Sequence, residues 1–123
     1  MKALVIDDSA AVRTILKRIL TDCGFEVVEA SQGREALERL REKGKMDIAL
    51  VDWNMPEMNG YDFIRAIRAD HAHDSMRLMM VTTETEIAQV AKALEAGANE
   101  YVMKPFTKDM ILEKLTLMGI SHT

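Results

Sequence analysis

The chain has 123 residues, 48% hydrophobic and 29% charged, with a formal net charge of -4. That is enough for one domain that buries its own core, expected over residues 1–123, and the acidic balance argues against a nucleic-acid partner. Met1 to Ile6 meets Asp7-Asp8 too soon for a signal-peptide core, no later run is long enough to span a membrane, and the lone Cys23 suits a reducing compartment, so the expected location is cytoplasmic.

Ala3-Leu4-Val5-Ile6 is a short apolar run, predicted to be a buried strand closed by Asp7-Asp8-Ser9. Val12, Ile15, Leu16, Ile19 and Leu20 then recur at helical spacing up to Gly24, and Cys23 at that helix end is predicted to be buried and unreactive. Phe25 to Ala30 is a second strand. Ser31 and Gly33 open a charged helix with Ala36, Leu37 and Leu40 inward, stopped by Gly44. Ile48 to Val51 is a third apolar run, ending abruptly in Asp52 and the turn Trp53-Asn54-Met55-Pro56. A run so short and apolar suits a strand buried on both faces of a parallel sheet. Asn59-Gly60 leads into a helix with Phe63, Ile64 and Ile67 inward, followed by a polar surface loop from Asp70 to Ser75. Its His71 and His73 lack further ligands for a metal set.

Leu78 to Val81 is a fourth strand ending in Thr82. Thr83 and Glu86 have capping-box spacing ahead of a helix whose inner stripe is predicted as Ile87, Val90, Ala91 and Leu94. Tyr101-Val102-Met103 is the last strand, ending at Lys104-Pro105. Thr107 caps a final helix, where Met110, Ile111, Leu112, Leu115, Leu117 and Met118 cover more than one face and leave room for a partner surface. Five strand–helix units with right-handed crossovers predict an α/β fold: a flavodoxin-like, doubly wound, five-stranded parallel sheet in the order 2-1-3-4-5 with five helices.

That order gathers the carboxyl ends of four strands on one rim, bringing together Asp7-Asp8, Asp52, Thr82 and Lys104. Singly, Asp52 could merely start a turn, Asp8 or Ser9 could cap a helix, and Thr82 could bond its own backbone. Collectively they have an electrostatic consequence. Two carboxylates about 5 Å apart repel by roughly 3 kcal/mol at an effective dielectric near 20, so three together call for a cation. Oxygen donors that leave room for water and phosphate suit Mg²⁺. Beside a metal-bound phosphoryl donor, an ionised Asp52 would be placed for in-line attack to give an aspartyl phosphate.

The motifs Val5-Ile6-Asp7-Asp8-Ser9, Val51-Asp52-Trp53-Asn54-Met55-Pro56, Val81-Thr82, Ala96-Gly97-Ala98 and Lys104-Pro105-Phe106 follow one another over the whole chain. In this the sequence resembles the receiver domains of two-component response regulators, and within them the single-domain chemotaxis regulators. The resemblance implies that Asp52 accepts a phosphoryl group from a histidine kinase, and that Asp7, Asp8, Asp52 and the main-chain carbonyl of Asn54 hold Mg²⁺. It further implies that Lys104 binds a phosphoryl oxygen beside a cis Lys104-Pro105 peptide, and that Thr82 and Tyr101 form a switch pair. Asn54 and Glu84 fall where the family tunes dephosphorylation. The implied output surface is the fourth helix, fifth strand and fifth helix of a monomer, engaging a protein target that the resemblance leaves unnamed.

Two other receiver roles fit the same residues: a phosphate sink, or a domain of a longer regulator. A different class, the Mg²⁺-dependent aspartyl-phosphate phosphohydrolases, needs alternate acids after the first strand and normally a cap domain. Here the acids are adjacent and the chain is short. A flavodoxin-like electron carrier would have to seat its phosphate on Asp7-Asp8, which would repel it. The expected protein is thus a phosphoacceptor that assists its own phosphorylation and dephosphorylation, with no turnover of an external substrate.

Overall fold

The computed structural model describes residues 1–83 and 88–120. Strands β1 (Lys2–Ile6), β2 (Glu26–Ala30), β3 (Ile48–Asp52), β4 (Arg77–Thr82) and β5 (Glu100–Met103) alternate with helices α1 (Ala10–Asp22), α2 (Gly33–Lys43), α3 (Gly60–Ala69), α4 (Val90–Ala96) and α5 (Lys108–Leu117). All pairings are parallel, in the order β2-β1-β3-β4-β5. The doubly wound topology is as the five apolar runs predict.

Alternation along the strands splits the core in two. Ala3 and Val5 of β1 with Ile48 and Leu50 of β3 face α1 and α5, packing on Leu16, Leu20, Ile111 and Leu115. Leu4 and Ile6 with Ala49 and Val51 face the other way, onto Ala36, Phe63, Ile64, Ile67 and Ala93 of α2, α3 and α4. Because β3 lies centrally and is covered on both sides, every one of its residues is buried, Asp52 included. The uninterrupted apolar run therefore has a direct structural cause.

Side-chain caps begin four of the helices. Ser9 Oγ accepts from Val12 N at 3.3 Å, Asn59 Oδ1 from Asp62 N at 2.9 Å, and Thr107 Oγ1 from Met110 N at 3.2 Å. At α2 the cap is Gln32, whose Oε1 accepts from Arg34 N, while Ser31 N donates to Glu35. Glu86 of the predicted capping box and Ile87 of the predicted stripe fall within residues 84–87, outside the described residues.

Several predicted positions turn out differently. Ile15 is 52% exposed: it lies about 100° around α1 from Leu16, on the rim of the stripe that Val12, Leu16, Ile19, Leu20 and Cys23 form. On α4 the inward residues are Val90 and Ala93, whereas Ala91 and Leu94 are exposed. A sequence pattern cannot choose between alanines, but the close approach of α4 to α3 does, because the fully buried Ala93 admits it. Leu117 is 64% exposed, so the apolar surplus of α5 lies partly on its surface. The 70–75 loop contains a short 3-10 turn, His71–His73, in which His71 and His73 lie near Asp74 and Asp70. Cys23 is buried and unpaired with another cysteine.

Arg68 locks the far end of this layer. Its guanidinium donates to the carbonyls of Gly97, His73 and Met76 and to Asn99 Oδ1, at 2.8–3.0 Å, and Asn99 Oδ1 also accepts from Leu78 N. One side chain thereby ties α3 to the ends of α4 and the approaches of β4 and β5.

Candidate functional site

The predicted rim exists. Lys104 Nζ lies 3.2 Å from Asp7 Oδ2 and 3.2 Å from Asp52 Oδ1, joining residues from β1, β3 and the end of β5. Asp7 and Asp52 are buried, at 1% and 4% exposure, while Asp8 faces solvent. One oxygen from each of the three carboxylates falls within 4.8 Å of the others, the only such cluster of potential metal ligands among the described residues.

Local structure holds each group in place. Asp7 Oδ1 accepts from Ser9 N at 2.9 Å, so the residue that caps α1 also orients the acid before it. Lys104 N donates to Thr82 O at 2.6 Å, tying the β5 end to the β4 end, and the Lys104-Pro105 peptide is cis. Thr82 is buried, and its hydroxyl lies 3.4 Å from Thr83 O.

Burial and the neighbouring Asp7 charge raise the Asp52 pKa from 3.8 to about 6, against the pull of Lys104. Burial disfavours the Lys104 ammonium, but Asp52 and then Asp7 outweigh it and hold the lysine more firmly charged than usual. The rim therefore keeps its cation while making a second negative charge costly. A donor set of oxygens only, two buried and one open to water, fits a hard divalent ion. A small opening of about 330 Å³ beside it is lined by Asp8, Asn54, Met55, Pro56 and Asn59, which places Asn54 at its edge.

Thr82 pairs with Met103 and Met80 with Tyr101, so Thr82 and Tyr101 lie on the same face of neighbouring strands, two residues apart in register. Tyr101 is half-buried against the α2–α4 side of the core. Lys114 Nζ sits 4.9 Å from its ring centroid and 3.1 Å from Glu100 Oε1, which also accepts from Tyr101 N. Glu84 lies outside the described residues.

Two residues near the rim escape a reading of the sequence. Arg13 donates from Nη1 to the Asp7 carbonyl at 2.6 Å, with its Nε 3.4 Å from Glu29. The signal was there: a cation one turn into a helix that starts beside two acids. Gly60 is the other. A Cβ on it would meet Asp52 O at 2.9 Å and Trp53 Cα at 3.0 Å, and Gly60 N donates to Trp53 O at 2.9 Å. The Met80 methyl, also in the way at 2.8 Å, could swing aside, but the backbone could not. Gly60→Ala is expected to cost roughly 1–3 kcal/mol in urea denaturation. An unchanged midpoint would show that α3 shifts freely.

Comparison with known proteins agrees with this geometry. The family described as response regulator receiver domain matches residues 3–116. Chemotaxis protein CheY1 of Helicobacter pylori is 44% identical over 119 residues, covering 96% of each chain. Chemotaxis protein CheY of Pseudomonas aeruginosa is 43% identical over 116 residues, covering 94% of this chain and 93% of that one. Among solved structures, Vibrio cholerae CheY4 superimposes with a TM-score of 0.86 at 34% identity, over 94% of this chain and 96% of the other. A family match over nearly the whole length, joined to the acid rim and its bridging lysine, leaves one assignment: the chain belongs to the response regulator receiver domains.

Proposed function

We propose that this chain, as one receiver domain over residues 1–123, is a single-domain response regulator whose Asp52 accepts a phosphoryl group from a histidine kinase. The observation that carries this is the Lys104 ammonium shared between Asp7 and Asp52 at the end of the central strand. An Asp52 oxygen forms the new bond to phosphorus as the bond from phosphorus to the kinase's histidine nitrogen breaks, and the imidazole leaves with that electron pair. Lys104 is placed to bind a phosphoryl oxygen as charge moves onto the rim. Asp7, Asp8, Asp52 and the Asn54 carbonyl are the groups that would hold Mg²⁺. When bound, that ion neutralises phosphoryl and carboxylate charge together.

Because these groups belong to the acceptor, the chain assists its own phosphorylation and dephosphorylation, with Asn54 and Glu84 at the sequence positions where the family tunes the latter. The added charge biases two side chains, the Thr82 hydroxyl and the Tyr101 ring, and through them the surface of α4, β5 and α5. The names of the relatives support a role in chemotaxis signalling. The proposal has the chain act there as a cytoplasmic monomer on a protein target. Among the described residues no helix is long and apolar enough to cross a membrane.

The test is intact mass after incubation with acetyl phosphate, with and without Mg²⁺, followed by peptide mapping. A single Mg²⁺-dependent phosphoryl adduct on the peptide carrying Asp52, with a change in Trp53 fluorescence, is the expected result. An adduct on another residue, or none with either acetyl phosphate or a phosphorylated histidine kinase, would overturn the proposal.

A further inference from the structure

The groove between α3 and α4 carries a charge pattern opposite to that of the whole molecule. It encloses about 500 Å³ and is lined by Tyr61, Arg65 and Arg68 of α3 and by Lys92 and Glu95 of α4. Three cations thus face one carboxylate, in a chain whose net charge is -4.

The three cations are not equivalent. Arg68 spends its donors on the backbone carbonyls and Asn99 described above, and contributes only its charge. Arg65 and Lys92 converge instead on one aromatic ring: the guanidinium carbon lies 5.7 Å and the ammonium 4.7 Å from the Tyr61 centroid. Among the described residues neither has a carboxylate within salt-bridge distance. An aromatic face positions a cation without neutralising it, and each cation keeps N–H donors for an anion. Two like charges drawn to one ring repel each other, and a carboxylate between them would relieve that repulsion.

We propose that the α3–α4 groove is a docking surface for an acidic segment of a partner protein. The occupant follows from charge and shape. α4 is seven residues long, so the groove runs for about 10 Å, enough for roughly three extended residues. Its aromatic lining, Tyr61 beside Ala69 and Ala96, suits an apolar side chain among the acids. A nucleic acid brings a long run of phosphates, which Glu95 and the overall negative charge oppose. The groove is also joined to the rim, because Trp53 follows Asp52 directly and touches Tyr61. A ligand here would therefore be sensed at the indole whether or not Asp52 is the phosphoacceptor.

The test is a nuclear magnetic resonance titration of the full chain with a short peptide alternating glutamate and leucine, against its lysine–leucine counterpart. Saturable shifts are expected at Tyr61, Arg65, Lys92 and the Trp53 indole with the acidic peptide alone. Arg65→Glu combined with Lys92→Glu should weaken binding at least about tenfold, while Lys108→Glu, a reversal on exposed α5, should leave it within about twofold. Tyr61→Leu keeps every charge and the fold's apolar contact, and should also weaken binding by freeing the cations. Shifts spread over the surface, an equal loss from Lys108→Glu, no saturable binding, or tighter binding of single-stranded DNA at the same residues would each overturn the proposal.

Discussion

Asp52→Asn is expected to have two effects of opposite sign: it abolishes the phosphoryl adduct and stabilises the metal-free fold at neutral pH. The first follows because an amide oxygen offers no carboxylate nucleophile, and intact mass reads it directly. The second follows from the raised Asp52 pKa. Below about pH 3.8 the carboxyl is protonated whether the chain is folded or not, and it imposes no penalty. As pH rises, the unfolded chain gives up this proton first, while the folded one keeps it until about pH 6, so folding loses stability across that interval. Above it the full penalty is present, on the order of 3 kcal/mol. Asparagine does not titrate. In chelator, urea midpoints should therefore favour the mutant at about pH 7.5 and converge with wild type at about pH 4. A mutant no more stable than wild type at the higher pH would mean that Lys104 fully balances the Asp52 charge.

Lys104→Met should slow phosphorylation by about 10²–10³-fold without abolishing it, since the nucleophile remains while a preorganised positive charge is lost. The same change leaves Asp7 and Asp52 buried without the ammonium they share at 3.2 Å. Metal-free stability should fall by about 1–3 kcal/mol, more above pH 6 than below, because only the ionised Asp52 needs the partner. Added Mg²⁺ should then raise the melting temperature more in the mutant than in wild type. Lys104→Arg should recover little, because a planar fork does not fit where a single nitrogen touches two carboxylates from different strands. Wild-type adduct kinetics in Lys104→Met would sink this account of the lysine.

The sheet was legible in the sequence because four of the five strands carry a short apolar run that stops at a polar residue, and the strand order then brings Asp7, Asp8, Asp52, Thr82 and Lys104 together from across the chain. Helix faces were harder to read. Ile15 is as apolar as Leu16, and only its angle around α1 leaves it in solvent. Ala91 and Ala93 differ in nothing but position, so the inward face of α4 emerges from packing against α3. Polar contacts across the fold were harder still. Arg68, bound to three carbonyls and Asn99, is a generic surface residue type whose partners only the fold supplies, whereas Arg13 left a local signal one turn into the helix beside Asp7. Gly60 gave a turn signal, but its closeness to the Asp52 backbone is a three-dimensional fact.

The strand order also determines which backbone is left without a neighbour. β2 and β5 are the outer strands, and each exposes a row of unpaired amides and carbonyls along one side. β2 carries Glu26 and Glu29, and β5 is only four residues long, with Glu100 at its start and Pro105 just past its end. Two copies meeting along matching margins would set glutamate against glutamate, and on the β5 side the imide ring would interrupt the ladder at once. Continuation of the sheet into a second molecule is disfavoured at both margins, and the helices and loops are left as the places where this protein meets others.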